Sequence, residues 1–503
     1  MNRADYKSTL IVMSSLTFAT LTGFARQAVI ARALGASRVA DSYLVAFALP
    51  EFVIIALPII LTPAFIPLFA RIRQFNGETY AWHFALRIAQ ALGLFLLVLT
   101  VIAAFAAPYY LTWMSPGFTH IERDKTLSAL YPMLPCILLM GMATLVSSIL
   151  QCYRQFFRPV LMTAIYNLAF IAALVFLPIT QPLIRASWGV TIGATLSLLS
   201  LLPLIKKWLP TQTIQPVSQV SQTGLREWLT LTGPLTLGYA VHHLILFIDR
   251  AMATALGAGS AAALNYADHL TMVVVQLSGL AVSTVLFPNL ADQVAGGDIT
   301  LARRSLASAL SLVWKIALPA SAGLILLRTP LVRILFEQGA FDQQATGLVS
   351  APVIWYSMAV LADALCQPLW RAVYAKRAGW FVVVINSLQT GIRLVANLAL
   401  TPWLGYIGLA ISAVIGLVFQ VACLLWWAKS QFGFAFNPDD QHDIIWTATA
   451  AFIATLTSIL VYHLMIANRP ILIVLACSLS GIIVYLVVSY GSKYLRNSHY
   501  EFK

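Results

Sequence analysis

The chain has 503 residues, of which 60% are apolar and only 10% charged. Soluble domains carry about 25% charged residues, so the balance excludes an ordinary soluble enzyme and a disordered scaffold and points to a polytopic membrane protein. The formal net charge is +13, from 31 basic and 18 acidic residues. On a soluble chain that excess would suggest nucleic acid; on a membrane chain the placement of the charges decides its meaning.

Arg3 and Lys7 precede apolar sequence that begins at Thr9. No small-residue cleavage site follows, which predicts a retained first span and not a signal peptide. A crossing helix needs about 20 apolar residues. Fourteen runs qualify, over residues 8–34, 39–70, 80–107, 127–152, 159–180, 184–206, 228–256, 261–291, 305–328, 347–375, 379–400, 404–428, 444–466 and 470–491. The runs are continuously apolar and do not alternate, so they predict helices and not a barrel. The second contains Pro50, Pro58, Pro63 and Pro67, which predicts a kinked or broken span. The fold class is therefore an all-α polytopic membrane protein with 14 transmembrane helices.

An even number of spans puts both termini on one side. Eighteen of the 31 Lys and Arg fall on that side, seven on the other and six within spans. The positive-inside rule then makes both termini cytoplasmic, and the basic excess is an orientation signal. The chain also repeats. Ala33-Leu34-Gly35-Ala36 recurs as Ala255-Leu256-Gly257-Ala258, an offset of 222. Phe65-Ile66-Pro67-Leu68-Phe69-Ala70-Arg71 resembles Leu286-Phe287-Pro288-Asn289-Leu290-Ala291-Asp292. Gly117-Phe118 corresponds to Gly339-Ala340-Phe341, and Tyr153-Arg154 to Tyr374-Ala375-Lys376. An offset spanning six helices gives a parallel pseudo-two-fold repeat. The organisation expected is an N-terminal lobe over 1–208, a cytoplasmic linker over 209–227, a C-terminal lobe over 228–428, and a loop with two further spans over 429–503.

Such repeats place their substrate site between lobes near mid-membrane. Each charge inside a span costs at least about 2.5 kcal/mol at the bilayer centre, so intramembrane ionisable residues are the pointers. Arg26 and Arg32 in span 1 and Arg250 in span 7 offer bidentate donors suited to phosphate, although pairing with Asp41, Glu51 or Asp249 would make them structural. Asp41 and Asp268 begin spans 2 and 8, where a carboxylate also serves as a helix cap. His269 is either a titratable gate or a satisfied polar residue. Glu51 follows Pro50 and either couples to a cation or packs against Arg26. Cys136, Cys152, Cys366, Cys423 and Cys477 form no C-x-x-C pair, so no disulfide framework and no metal site is suggested. No phosphate-binding loop of the G-x-x-x-x-G-K-[ST] form, no H-E-x-x-H and no G-x-S-x-G occurs, and no polar segment is long enough for a soluble catalytic domain. No catalytic residue and no cofactor is implied, and transport without built-in ATP hydrolysis is the class that remains.

Several of these segments resemble one family closely. Gly23-Phe24-Ala25-Arg26, Ala33-Leu34-Gly35-Ala36, Ala40-Asp41-Ser42-Tyr43 and Ala46-Phe47-Ala48-Leu49-Pro50 are similar to the opening of the MurJ (MviN) family. Gly233-Pro234-Leu235, Ile248-Asp249-Arg250, Ala263-Leu264-Asn265-Tyr266-Ala267-Asp268 and Leu335-Phe336-Glu337-Gln338-Gly339-Ala340-Phe341 resemble its second half. That family comprises lipid II flippases within the multidrug/oligosaccharidyl-lipid/polysaccharide exporter superfamily. The resemblance implies a flippase in the bacterial cytoplasmic (inner) membrane. It would move undecaprenyl-diphosphate-linked glycan, a peptidoglycan precursor, to the outer leaflet by alternating access. It implies a cationic cavity in which Arg26 matches a family arginine and Asp41 a family acid. The family has further cationic positions where this chain has Thr20, Ile54-Ile55 and His269. The membrane potential or a coupling ion would drive transport, and envelope glycan-synthesis proteins are a candidate class of partner. The alternatives are a flippase for an exopolysaccharide, capsule or O-antigen repeat unit, a cation-coupled drug exporter, whose acidic cavity the arginines oppose, and a non-transporting envelope scaffold.

Overall fold

The computed structural model describes residues 3–155, 157–205, 240, 243–376, 378–434, 438–465 and 468–501. These residues form helices and turns and no strand. In order the helices are α1 (Arg3–Leu34), α2 (Arg38–Asn76), α3 (Glu78–Met114), α4 (His120–Met133), α5 (Pro135–Cys152), α6 (Phe157–Phe176) and α7 (Pro182–Ile205). Residues 243–255 are helical and are labelled α8. Then follow α9 (Ser260–Val275), a π-helical turn (Gln276–Leu280), α10 (Ala281–Ala295), α11 (Ile299–Phe336), α12 (Gln343–Ala375), α13 (Gly379–Leu404), α14 (Tyr406–Phe432), α15 (Pro438–Met465) and α16 (Pro470–Glu501).

Among the described residues, eleven helices are long and apolar enough to cross a membrane, or twelve if the bent stretch within 260–295 is one span. The all-α membrane fold expected from hydropathy is present, and the count of fourteen crossings is not reached among the described residues. α1 is a continuous helix outside that set, and much of the run 228–256 lies outside the described residues. Two expected spans differ in detail. The run 127–152 belongs to a segment divided at Leu134 into α4 and α5, because Pro135 at the first position of α5 donates no amide. α2 stays one helix of 39 residues despite its four internal prolines. It packs on α3, α4 and α5, and neighbouring helices make such interruptions tolerable.

The chain divides into two compact units. Unit 1 comprises residues 1–262 with 338–341, and unit 2 comprises 263–337 with 342–503. In unit 1, α6 lies between α1 and α7. α7 carries Gly189-Val190-Thr191-Ile192-Gly193, a small-xxx-small motif that lets helix backbones approach. A Cβ on Gly193 would stand 2.9 Å from the carbonyl oxygen and ring of Tyr166, and one on Gly189 3.1 Å from the Phe170 ring. α7 thereby presses two aromatic rings of α6 toward the side on which α1 packs. Near the α5–α6 turn, Trp82 Nε1 donates to the Tyr153 hydroxyl at 3.0 Å, which donates to Glu78 Oε1 at 2.8 Å. Burial and the Glu78 carboxylate push Tyr153 up to about 12, and the Arg73 guanidinium lies 5.1 Å from its ring centroid.

In unit 2 the core joins α10, α11, α12 and α14 through Leu290, Leu306, Leu310, Leu369, Val373, Leu424 and Trp427. Two proline interruptions here are repaired from neighbouring helices. Pro352 cannot donate to the Leu348 carbonyl, and the Tyr406 hydroxyl of α14 donates to it at 3.1 Å. Pro319 cannot donate to the Lys315 carbonyl, and the Tyr485 hydroxyl of α16 donates to it at 2.7 Å. The close seat of α7 gives a direct test: Gly193→Val forces atoms into the Tyr166 backbone and ring, and overpacking of this kind costs about 1–3 kcal/mol. The variant is expected to melt earlier in detergent, whereas valine at the open Gly323, which meets nothing within 4 Å, is not.

Candidate functional site

Six of the eight residues singled out from sequence, Arg26, Arg32, Asp41, Glu51, Asp249 and Arg250, lie in unit 1. Asp268 and His269 lie in unit 2, on α9, and each makes polar or electrostatic contacts there or elsewhere. The six do not form one cluster of like function.

Arg26 is on α1. Its guanidinium carbon lies 5.4 Å from the Tyr166 ring centroid and 5.7 Å from that of Phe170. These are the rings seated by Gly193 and Gly189 of α7, so the motif on α7 fixes the surroundings of a cation on α1. Among the described residues Arg26 has no ion pair, and its buried Nε has no hydrogen-bond partner. The Tyr166 hydroxyl is buried and unpartnered as well. Cation–π contact offsets only about 1–2 kcal/mol of the cost of such a charge. Among the described residues these two donors around one ring lack an acceptor, and an anionic group is the kind that beside a cation could supply one.

Arg250 is different. Its guanidinium forms an ion pair with Glu51 at 2.6 Å and donates to the Leu44 carbonyl at 3.3 Å. It thus ties α8 to α2, and Glu51 is committed to Arg250 and not to Arg26. Phe52 adds ring contacts to His243 and Phe247, at 5.9 and 5.8 Å between centroids. Asp249 has contacts of its own and is not a free carboxylate.

Asp41 is fully buried. α2 already has a cap in Ser37, whose hydroxyl accepts from the Val39 amide. Asp41 instead serves α9, accepting from the Gly259 amide at 2.7 Å and from the Ala262 amide at 2.9 Å. The first amides of a helix lack partners within it, and Gly257 and Gly259, with φ of 138° and 81°, form the turn that aims them at α2. Asp41 is therefore a helix cap supplied from 218 residues away. Arg38 completes the arrangement: it donates to the Thr254 carbonyl at 2.9 Å, approaches Glu122 at 3.4 Å and Asp41 at 3.8 Å, and covers the Phe118 ring.

Glycines make these approaches possible. A Cβ on Gly117 would collide with the Thr254 carbonyl, and one on Gly339 with the Arg32 carbonyl, which accepts from the Ala340 amide at 2.8 Å. Gly117 and Gly339 are 222 residues apart, as are Arg32 and Thr254. Each repeat thus presents a glycine to the corresponding carbonyl of the other, and we refer to this set of contacts as the clasp. Arg32 takes part through its backbone, and its side chain is exposed. Sequence reasoning missed Arg38, which counted only as an orientation charge, and missed the part played by Gly117 and Gly339, which served only as markers of the repeat. The Ser37-Arg38-x-x-Asp41 spacing was the available signal.

A family model described as "Lipid II flippase MurJ" matches residues 30–489. The chain belongs to the MurJ family. A Burkholderia cenocepacia protein named lipid II flippase MurJ is 28% identical over 426 residues, covering 83% of this chain and 82% of its own length. A probable lipid II flippase MurJ of Rickettsia prowazekii is 24% identical over 500 residues, covering 96% of both. A solved structure of a lipid II flippase MurJ in an inward closed conformation superposes with a TM-score of 0.83 at 22% identity, over 97% of this chain and 99% of that one. An inward-facing multidrug-resistance MATE transporter gives 0.66 at 15% identity, over 84% and 98%. Both structural likenesses concern the fold.

Within this MurJ-family chain Asp41 is the least replaceable part of the clasp, because its removal leaves two buried amides unpaired at about 1–3 kcal/mol each. Thr254 is fully buried beside them. A Thr254→Cys reporter is expected to react slowly with a water-soluble maleimide in the parent chain and at least several-fold faster when Asp41→Ala is added; equal rates would remove Asp41 from the clasp.

Proposed function

We propose that this chain is the transporter that carries lipid II, an undecaprenyl-diphosphate-linked glycan, across the bacterial inner membrane, and that Arg26 is its principal contact to the diphosphate. The supporting observation is the pair of buried, unpartnered donors at Arg26 and Tyr166. Diphosphate oxygens supply the acceptors that these donors lack, and a guanidinium matches phosphate through two parallel bonds. Thr20, Ile54 and Ile55 provide no cation, so the contact concentrates on Arg26.

Arg250 enters as a switch in this reading. Its bond to Glu51 ties α8 to α2, and a diphosphate competing for the guanidinium would loosen that tie. The clasp would close the outer ends of the helices while both termini face the cytoplasm, as the distribution of basic residues requires. Translocation then exchanges the clasped arrangement for one in which the site opens outward. An anion leaving a negative-inside cell gains about 2.3 kcal/mol per charge per 100 mV, and the diphosphate carries two such charges. Envelope glycan-synthesis proteins would supply and consume the substrate on the two faces.

Two measurements test this in proteoliposomes loaded with lipid II. Arg26→Ala is expected to lose nearly all flipping at normal reconstitution, and Arg26→Lys to retain a minor fraction, since lysine keeps the charge but not the fork. A wild-type rate for Arg26→Ala removes the diphosphate contact from this residue. Collapsing an inside-negative potential is expected to slow wild-type flipping, and indifference would sink the proposed driving force.

A further inference from the structure

We propose that the C-terminal hairpin, α15 and α16, is a splint that sets the bend of α11 at Pro319, and that Tyr485 is the positioning residue through which it acts. This rests on the alternating-access reading above and deepens it by assigning the regulation of the clasp.

α11 runs over 38 residues with Pro319 in its interior. The proline leaves the Lys315 carbonyl without its helical amide, and inside a membrane no water replaces it. The Tyr485 hydroxyl of α16 takes that place at 2.7 Å. The same residue is gripped a second time, since Lys315 Nζ bonds Asp443 Oδ2 of α15 at 2.7 Å. Both hairpin helices thus converge on the one residue whose carbonyl the proline freed. Beyond Pro319 the contact becomes apolar: Leu327 of α11 packs with Ile473 and Cys477 of α16, flanked by Leu331, Val461 and Val474. The hairpin therefore holds α11 on both sides of Pro319.

A splint must itself be stiff. α15 and α16 are joined by the Ser458 hydroxyl donating to the Cys477 carbonyl at 3.1 Å and the Cys477 thiol to the Ser458 carbonyl at 3.5 Å. Gly481 allows this approach, since a Cβ there would stand 2.7 Å from Ser458 Oγ. The far end of α11 leads after one residue into Gln338–Phe341, the segment that supplies Gly339 and Ala340 to the clasp on Arg32 and Gly35. The direction in which α11 leaves Pro319 accordingly decides where that segment is delivered.

The chemistry offers a rescue that a merely structural role would not show. Tyr485→Phe removes only the hydroxyl. Adding Pro319→Ala restores the amide to the Lys315 carbonyl and makes the hydroxyl redundant. Spin labels at His120→Cys and Gln338→Cys, both exposed, report the clasp distance, with Cys152 and Cys423 changed to serine. Tyr485→Phe is expected to add a longer distance population and to lower lipid II flipping by about threefold to tenfold, the loss of one interhelical hydrogen bond. The Pro319→Ala, Tyr485→Phe double variant is expected to return both readouts toward the parent. An unchanged distance in Tyr485→Phe, or a double variant as impaired as the single one, overturns the proposal. If Tyr485→Phe and the double variant show the distance changes while the parent chain flips no lipid II, the substrate reading is overturned and the splint stands.

Discussion

A helix that begins inside a membrane protein must find acceptors for its first amides, and in this chain one carboxylate meets that demand. Asp41 is buried without exposure, which is tolerable for a charged group only because two amides of the α9 start and the Arg38 guanidinium surround it. The dependence is mutual. α9 could not start where it does without Asp41, and Asp41 could not be buried without the glycine turn that aims those amides. Gly117 and Gly339 extend the same economy, since their missing side chains allow carbonyls to be covered by backbone. A contact built from backbone groups and one carboxylate has few intermediate states, because separating it exposes several polar groups at once.

The arginines of α1 and α8 are arranged on a different principle. Among the described residues Arg250 is neutralised and Arg26 is not. Glu51 satisfies Arg250 at bonding distance, so the charge there is structural until something competes for it. Arg26 lies against two π faces, which attract its charge without occupying its hydrogen-bond donors. In the proposed transport site, rings suit the guanidinium because they hold it in place while leaving its donors available to a transient anion. A carboxylate partner would hold it more tightly and would have to be displaced on every cycle. The precision of the cage comes from α7, whose glycines let Tyr166 and Phe170 be set by backbone contact rather than by flexible side chains.

Hydropathy located most helices to within a few residues, as with α12, expected over 347–375 and found over Gln343–Ala375. The observed helices run longer than the apolar stretches because polar turns continue them beyond the hydrocarbon, as α2 does to Asn76. The division between α4 and α5 was not legible from hydropathy, since Pro135 interrupts the backbone without interrupting the apolar run. Arg26 was legible as a candidate because a charge inside a span has no cheap explanation, yet its rings lie about 140 residues away and no local pattern announces them. Asp41 was legible as a cap but not as a cap for another helix. Arg38 was read by location alone, which cannot distinguish a solvated charge from the centre of a bonded group.

The interrupted helices of unit 2 show how a proline becomes useful instead of merely tolerated. A proline inside a span opens one carbonyl, and that carbonyl then binds whatever donor a neighbour presents. In α12 the donor is Tyr406 of α14, a helix packed on α12 along much of its length. In α11 it is Tyr485 of α16, one of the two helices beyond the sequence repeat. The first case completes a core. The second gives an appended hairpin a grip on a proline-interrupted helix inside the repeat. A tyrosine hydroxyl suits this purpose, because its ring is rigid enough to fix the distance and its single bond can be broken without leaving a charge behind. The addition of two helices to a repeated architecture thereby introduces an asymmetry at one carbonyl, upstream of the segment that enters the clasp.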